Sequence, residues 1–181
     1  MILKRTAISD VVLIEPHVFG DERGYFVETF REDCLEDFLG YKTTFCQDNE
    51  SKSNYGVLRG LHYQEEPFAQ AKLVRVVKGK VRDIVVDIRP NSPTFGLHVS
   101  TILSEENKHQ LFIPKGFAHG FVVLEEETIL AYKVDAYYSA VHDRGICYND
   151  PSLNIDWGVA KEHLKLSPKD QNQPSFKEVF G

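Results

Sequence analysis

Between Lys72 and Pro90 the chain reads KLVRVVKGKVRDIVVDIRP, two runs of alternating, β-branched-rich sequence meeting at Lys78-Gly79-Lys80. A period of two cannot lie flat on a helix, so the run commits this part of the chain to sheet. The glycine between two lysines predicts a tight turn and, with it, a hairpin. In VRDIVVDIRP, Arg82, Ile84, Val86 and Ile88 share one face, and Val81, Asp83, Val85 and Asp87 share the other. Two acids on a face otherwise made of valine point to a polar interior or a wet rim.

Similar short runs fill most of the chain: VVLIEP, GYFVETF, GVLRGLHYQ, GLHVSTIL, QLFIPKG, HGFVVL and TILAYKVDAYY. They are rich in Val, Ile, Phe and Tyr and are punctuated by Gly, Pro, Asn and Asp, as in all-β domains. REDCLEDFLG predicts a short helix ending at Gly40, and GVAKEHLKL a second helical stretch. Many short antiparallel strands in one domain give a sandwich or a barrel. With no repeat or flexible linker, the 181 residues read as one domain. Its strand core spans roughly 10–140, followed by a helical and loop segment over roughly 141–181.

Composition narrows the class. An apolar fraction of 42% is that of a globular chain. A net charge of −6 argues against a nucleic-acid surface but leaves room for basic residues clustered around a diphosphate. No apolar run approaches the ~20 residues of a membrane helix, and MILKRTAISD lacks a secretory pattern. Cys34, Cys46 and Cys147 are odd in number and have no CxxC spacing, so reduced thiols in the cytoplasm are expected.

Chemistry gathers in two places. GVLRGLHYQ, residues 56 to 64, sets Arg59 and His62 three apart on a strand, which in a regular strand means opposite faces. Either one of them lines a pocket, or Gly60 breaks the alternation with a bulge that lets both reach it. In TILAYKVDAYY, Tyr132 and Tyr138 fall on one side and line one wall if the strand runs that far. IPKGFAHGF has the form PxGxxH and delivers His119 at the start of a strand. That turn resembles the second signature of the cupin barrels, in which such a histidine often ligates a metal. Metal cupins also carry an HxH pair and a glutamate on an earlier strand. Here there is one histidine, His62, and Glu65 and Glu66 follow too closely. The expectation is a cupin-type jelly-roll barrel of antiparallel strands, with a few short peripheral helices, no metal and no cofactor.

The chain as a whole resembles the dTDP-4-dehydrorhamnose 3,5-epimerases. The motifs that carry the resemblance are GDERGYFVETF, FCQDNESKSNYGVLRGLHYQ, QAKLVRVVKGKVRDIVVDIRPNSPTFG, FIPKGFAHGF, YKVDAYYSAVHDRGICYNDPSLNIDW and LSPKDQ, in this order. In a 4-keto sugar, C3 and C5 both flank the carbonyl, so a base can remove their protons. Inversion then needs an acid on the other face and a group to hold the enolate charge.

The resemblance implies His62 as base, Asp170 of LSPKDQ as the carboxylate that orients it, Lys72 beside the enolate oxygen and Tyr132 as acid. It implies Arg59, His119 and Tyr138 as contacts to sugar or diphosphate, with Asp143 and Lys169 as further substrate contacts. Arg23, Phe26 and Glu28 of RGYFVE, with Gln47 and Asn49 of FCQDN, form the implied nucleotide set. A dTDP-sugar substrate and a homodimer sharing its nucleotide site are the implied partners, with neither nucleic acid nor membrane.

Simpler roles exist for several of these side chains: a structural ion pair of Arg59 with Asp83 or Asp87, a solvated edge position for Lys72, a turn or cap for Asp170. Three positions depart from the family pattern: Asp143 for a usual glutamate, Tyr148 in CYND for tryptophan, and Cys46 for valine, its side chain expected toward the core. The rival activities are a single-carbon epimerase or 3,4-ketoisomerase on the same scaffold, a metal cupin oxygenase, and a non-catalytic sugar-nucleotide binder.

Overall fold

The computed structural model describes residues 1–181. Two antiparallel sheets pack face to face. One runs in the order β1 (Ile2–Arg5), β2 (Val12–Glu15), β10 (Gln110–Ile113), β7 (Lys72–Lys78), β12 (Thr128–Val134), β5 (Gln47–Ser53). The other runs β13 (Asp143–Gly145), β6 (Leu58–Gln64), β11 (Phe117–Val123), β8 (Lys80–Asp87), β9 (His98–Ser104). β3 (Val18–Asp21) and β4 (Gly24–Val27) form a separate hairpin. Strands β5 to β12 divide four against four, β5-β12-β7-β10 facing β6-β11-β8-β9, the jelly-roll order. The fold is cupin-like, as expected, but the sheets remain two ladders and do not close into one continuous barrel.

Lys78-Gly79-Lys80 is not a hairpin turn. β7 pairs with β10 and β12, whereas β8 pairs with β11 and β9. Gly79, at φ 78°, turns a corner between the sheets, where an added Cβ would lie 2.3 Å from Thr128 Oγ1. Alternation looks the same in a hairpin and at such a corner, because each run still contributes one inner face. The partner strands differ, and they lie far away in sequence.

Three apolar clusters follow from the layering. Between the sheets, Val74, Val76, Leu111, Ile113 and Leu130 meet Val81, Val85, Leu103, Phe117, Phe121 and Val123. On the outer face of the second sheet, Ile84, Val86, Ile88 and Val122 are covered by Ile146, Leu153 and Trp157. On the outer face of the first, Leu73 and Phe112 pack with Leu35 of helix α1 (Glu32–Leu39). That helix begins with Glu32 and Asp33 and ends where Gly40 adopts φ 79° and donates to Glu36 O, as its sequence predicts. GVAKEHLKL forms only a single 3₁₀ turn, Lys161–His163. The last helices are α2 (Pro168–Gln171) and α3 (Phe176–Phe180). Cys46 is exposed, not turned to the core, because it precedes edge strand β5. Tyr148 packs at the margin of the second cluster, and its carbonyl accepts from Trp157 Nε1 at 2.9 Å.

Strand β6 carries the irregularity that matters most. Arg59 stands opposite Phe121, yet His62 stands opposite His119, so β6 holds one more residue than β11 across this interval. The bulge centres on Gly60, at φ 123°, whose missing side chain admits the Gly120 backbone. A Cβ on Gly60 would lie 2.5 Å from Gly120 Cα, and one on Gly120 would lie 2.9 Å from Arg59 O. The parity of the strand therefore switches, and Arg59 and His62 both face inward.

Gly60→Ala is expected to cost about 2–4 kcal/mol, as backbone strain and overpacking add. Gly24→Ala, at a similar φ of 128° but with nothing within 4 Å, serves as the control for strain alone. Urea midpoints for the two variants that fall together would refute the close-packing account.

Candidate active site

Register fixes which side chains meet between the sheets. In the first sheet Tyr132 stands opposite Asn49 and Val74, and Lys72 opposite Val134 and Ile113, so all share the face of the central core. In the second, His119 stands between His62 and Val85. Toward one end of the interior valines give way to these polar groups, and a cavity of about 290 Å³ opens. Arg59, His62, His119 and Phe121 form one wall; Ser51, Lys72, Leu130 and Tyr132 form the other. Ser167, Lys169 and Asp170 reach in from the carboxy-terminal segment.

Asp170 is the carboxylate that meets His62. Its Oδ1 lies 2.6 Å from His62 Nε2, off the line of the ring N–H. The same Oδ1 accepts from Gly60 N–H at 3.3 Å, and Oδ2 accepts from Ser167 Oγ at 2.6 Å. Burial pushes the Asp170 carboxyl up, but His62, Ser167 and the Gly60 N–H together hold it below the usual carboxylate range. It therefore stays ionised at neutral pH. Opposite a buried anion, the imidazole is both oriented and able to accept a proton.

A second pair lies one strand away. Asp83, fully buried, places both oxygens 2.9–3.0 Å from His119 Nε2. The acids noted on the valine face of β8 are thus interior groups with separate partners: Asp87 is bound by Arg89, Ser92 and Thr94. Arg59 pairs with neither acid; its Nε and Nη2 donate to Ser53 Oγ at 3.3 and 3.2 Å. Each imidazole points one nitrogen at a carboxylate, and no three His, Cys, Asp or Glu side chains converge as a ligand set.

Lys72 and Tyr132 occupy the wall facing His62. Lys72 is half-buried at the cavity, not a solvated edge group. Loss of hydration brings its ammonium down to about 8, against the attraction of Asp83 and Asp143 and with Lys169 acting in the same sense as burial. Burial pushes the Tyr132 phenol up; Arg59 opposes this and Asp143 adds to it. Tyr132 consequently keeps its proton throughout the neutral range.

At the mouth, Tyr138 lies beyond the end of β12 at Val134, so it is not part of the Tyr132 strand wall. It belongs to the following loop, is 58% exposed, and donates from its hydroxyl to Asp143 Oδ2 at 2.9 Å. Lys169 Nζ reaches the same oxygen, so the shorter acid at 143 joins both groups. Gln47 Oε1 accepts from Tyr138 N–H at 3.2 Å, and Gln47 Nε2 donates to Asn49 Oδ1 at 2.8 Å. The structure thus brings together His62, Asp170, Lys72, Tyr132, Arg59, His119, Asn49, Gln47, Tyr138, Asp143 and Lys169.

Arg23, Phe26 and Glu28 are not brought to this cavity. Arg23 and Phe26 lie on the β3–β4 hairpin, where Arg23 pairs with Asp21, and Glu28 follows it, 4.0 Å from Arg31. None of them touches the cavity of its own chain. Groups that sequence reasoning did not single out are Ser51, Ser53 and Ser167. For Ser167 a signal existed, since Ser-Pro-x-Asp is a helix start. A cleft of about 260 Å³ on the outer face of the first sheet, near Arg75 and the Asp48–Lys133 pair, contains no histidine.

Residues 5–178 match the family model described as dTDP-4-dehydrorhamnose 3,5-epimerase. The chain is 55% identical over 172 residues to the dTDP-4-dehydrorhamnose 3,5-epimerase of Shigella flexneri, covering 95% of this chain and 94% of that one. Its fold matches the dTDP-6-deoxy-D-glucose-3,5-epimerase of Legionella pneumophila, solved in complex with dTDP-4-keto-L-rhamnose, at TM-score 0.94 and 48% identity over 98% and 93% of the two chains. A 3′-monoepimerase from Streptomyces bikiniensis, in complex with dTDP-quinovose, matches at TM-score 0.90 and 31% identity over 96% and 87%. On the family model and these identities, the chain belongs to the dTDP-4-dehydrorhamnose 3,5-epimerase family.

Proposed function

We propose that this protein is an isomerase that converts dTDP-4-dehydro-6-deoxy-D-glucose to dTDP-4-dehydro-L-rhamnose by inverting C5 and C3, in the making of dTDP-L-rhamnose. One observation carries the mechanism: His62 and Tyr132 stand on opposite sheets across a single cavity. Facing sheets lie ~10 Å apart, room for a sugar ring between base and acid. His62, backed by the ionised Asp170, removes the proton next to the ketone. The electrons move into the carbonyl, and the Lys72 ammonium offsets the resulting oxyanion charge. Tyr132 then protonates the carbon from the other face, and the carbonyl re-forms. A phenol held neutral by burial suits that delivery.

Binding uses the same walls. Arg59 and Lys169 at the mouth offer cations to the diphosphate, with His119 and Asp143 beside the sugar. The exposed Tyr138 ring offers a stacking surface to the base, and Gln47 and Asn49 offer amides. The working unit in this reading is a homodimer, in which the partner subunit's hairpin completes the nucleotide site. Supporting it are the exposure of Phe19, Tyr25 and Phe26 on that hairpin, at 58%, 60% and 67%, and the distance of Arg23, Phe26 and Glu28 from their own cavity. Work in the cytoplasm is part of this reading, with the three thiols free; no helix is long and apolar enough to cross a membrane.

Incubation with dTDP-4-dehydro-6-deoxy-D-glucose in heavy water tests the reaction. Deuterium is expected at both C3 and C5 by NMR, and exchange confined to one carbon would select the single-carbon epimerase instead. His62→Ala should lower exchange by about 10²–10⁴-fold, and Tyr132→Phe should slow product formation more than exchange. The Lys72 ammonium, ordinarily charged to above pH 10, here loses its proton near pH 8 in the free protein, so kcat/KM should fall as pH rises through about 8. A rate that holds level to pH 9.5 would remove Lys72 from the oxyanion role. Light scattering should give a two-chain mass, and Phe26→Ala should raise KM about tenfold with little change in kcat; a fully active monomer would refute the shared site.

A further inference from the structure

We propose that Ser167 is a positioning residue for the base: it fixes which oxygen of Asp170 meets His62 and how much charge that oxygen carries. The inference rests on the reading of His62 as base. Ser167 is the N-cap of α2, and its Oγ accepts from Asp170 N–H at 3.1 Å while donating its own proton to Asp170 Oδ2 at 2.6 Å. One hydroxyl thus grips the backbone and the side chain of the same residue. The carboxylate can turn about its Cβ–Cγ bond, and the Ser167 bond to Oδ2 sets that angle. Oδ1 is thereby left to His62, 2.6 Å away, with the Gly60 N–H as its second donor.

Asp170 is 3% exposed, and its Oδ2 has the Ser167 hydroxyl as its side-chain donor; a water entering where the exposed serine stood is not tethered to the backbone and does not fix the carboxylate's angle. Without the serine, Oδ2 loses its tethered donor, and the turn of the carboxylate is left to the Gly60 N–H at 3.3 Å and to His62 itself. Two effects follow. The imidazole samples orientations away from the substrate carbon, which slows proton removal without loosening the sugar nucleotide. The negative charge that Ser167 drew toward Oδ2 also returns to Oδ1, so His62 holds its proton to higher pH.

A simple capping role predicts something different, and the choice of variants separates the two. Glycine is nearly as good an N-cap as serine, so Ser167→Gly leaves α2 in place while removing the donor. Ser167→Thr keeps both functions. For Ser167→Gly we expect kcat for C5 exchange to fall about tenfold with KM within twofold, and Ser167→Thr to recover most of the rate.

A readout independent of turnover is the titration of the His62 imidazole in the free protein by ¹⁵N NMR. It should rise by about half a unit in Ser167→Gly and not in Ser167→Thr. A Ser167→Gly enzyme with wild-type kcat, one altered only in KM, or a His62 titration that stays put or falls would overturn the proposal. Wild-type protein that exchanges no deuterium would instead overturn the proposed reaction, and the titration would still decide whether Ser167 governs the pair.

Discussion

The close approach of two backbones, Gly60 against Gly120, is the contact on which the site depends. Neighbouring strands rarely come near enough that neither residue has room for a Cβ, and here both are glycine. The approach creates the bulge, the bulge switches the parity of β6, and the switch turns His62 from the apolar cluster under Trp157 toward the cavity. It also frees the Gly60 N–H from the β-ladder to bond Asp170. One local irregularity therefore turns His62 into the cavity beside Arg59 and frees a donor to the Asp170 carboxylate.

The interior is dry at one end and highly charged at the other. Asp83, Asp170 and Lys72 each lose hydration there, and such losses are tolerable only where fixed partners replace water. Asp83 has His119, and Asp170 has the Ser167 hydroxyl and the Gly60 N–H with the His62 ring beside it, so both carboxyls have fixed partners. Lys72 has no ion-pair partner, and its ammonium is accordingly brought down to about 8. That asymmetry suits a site in which negative charge appears only transiently: a cation already paired with a carboxylate has less to offer a developing enolate.

Much of this was legible in the sequence, and the rest was hidden for identifiable reasons. Period-two runs marked the strands, and Gly60 between Arg59 and His62 marked the bulge, because only a break in parity lets both residues share a face. Asp83 among valines marked a polar interior. The turn at Gly79 misled: a sheet-to-sheet corner and a hairpin share the same local chemistry and differ only in long-range pairing. Tyr138 misled similarly, since nothing local in VDAYY shows that β12 stops at Val134. Arg23, Phe26 and Glu28 were read as site residues from resemblance, and no pattern in one chain reveals that their own cavity lies elsewhere.

The carboxylate of the dyad comes from the last part of the chain, and this ties chemistry to the docking of that segment. Beside the bulge, Leu58 N–H donates to Lys165 O at 3.0 Å and Lys165 N–H to Gly56 O at 2.8 Å, a parallel bridge that seats residues 165–170 against β6. Gly56, at φ 80°, permits it: a Cβ there would lie 2.1 Å from His163 O. Farther on, the Ser175–Glu178 capping box starts α3, and Phe176, Val179 and Phe180 pack onto the outer face of the second sheet. Asp170 is thus held between two anchored stretches, each fixed by contacts remote from the cavity. A carboxylate supplied by a free tail would spend much of its time in water, where its charge is screened and His62 gains little from it. Anchored on both sides, it is buried before substrate arrives, and the cost of ordering it is met in folding rather than in the reaction.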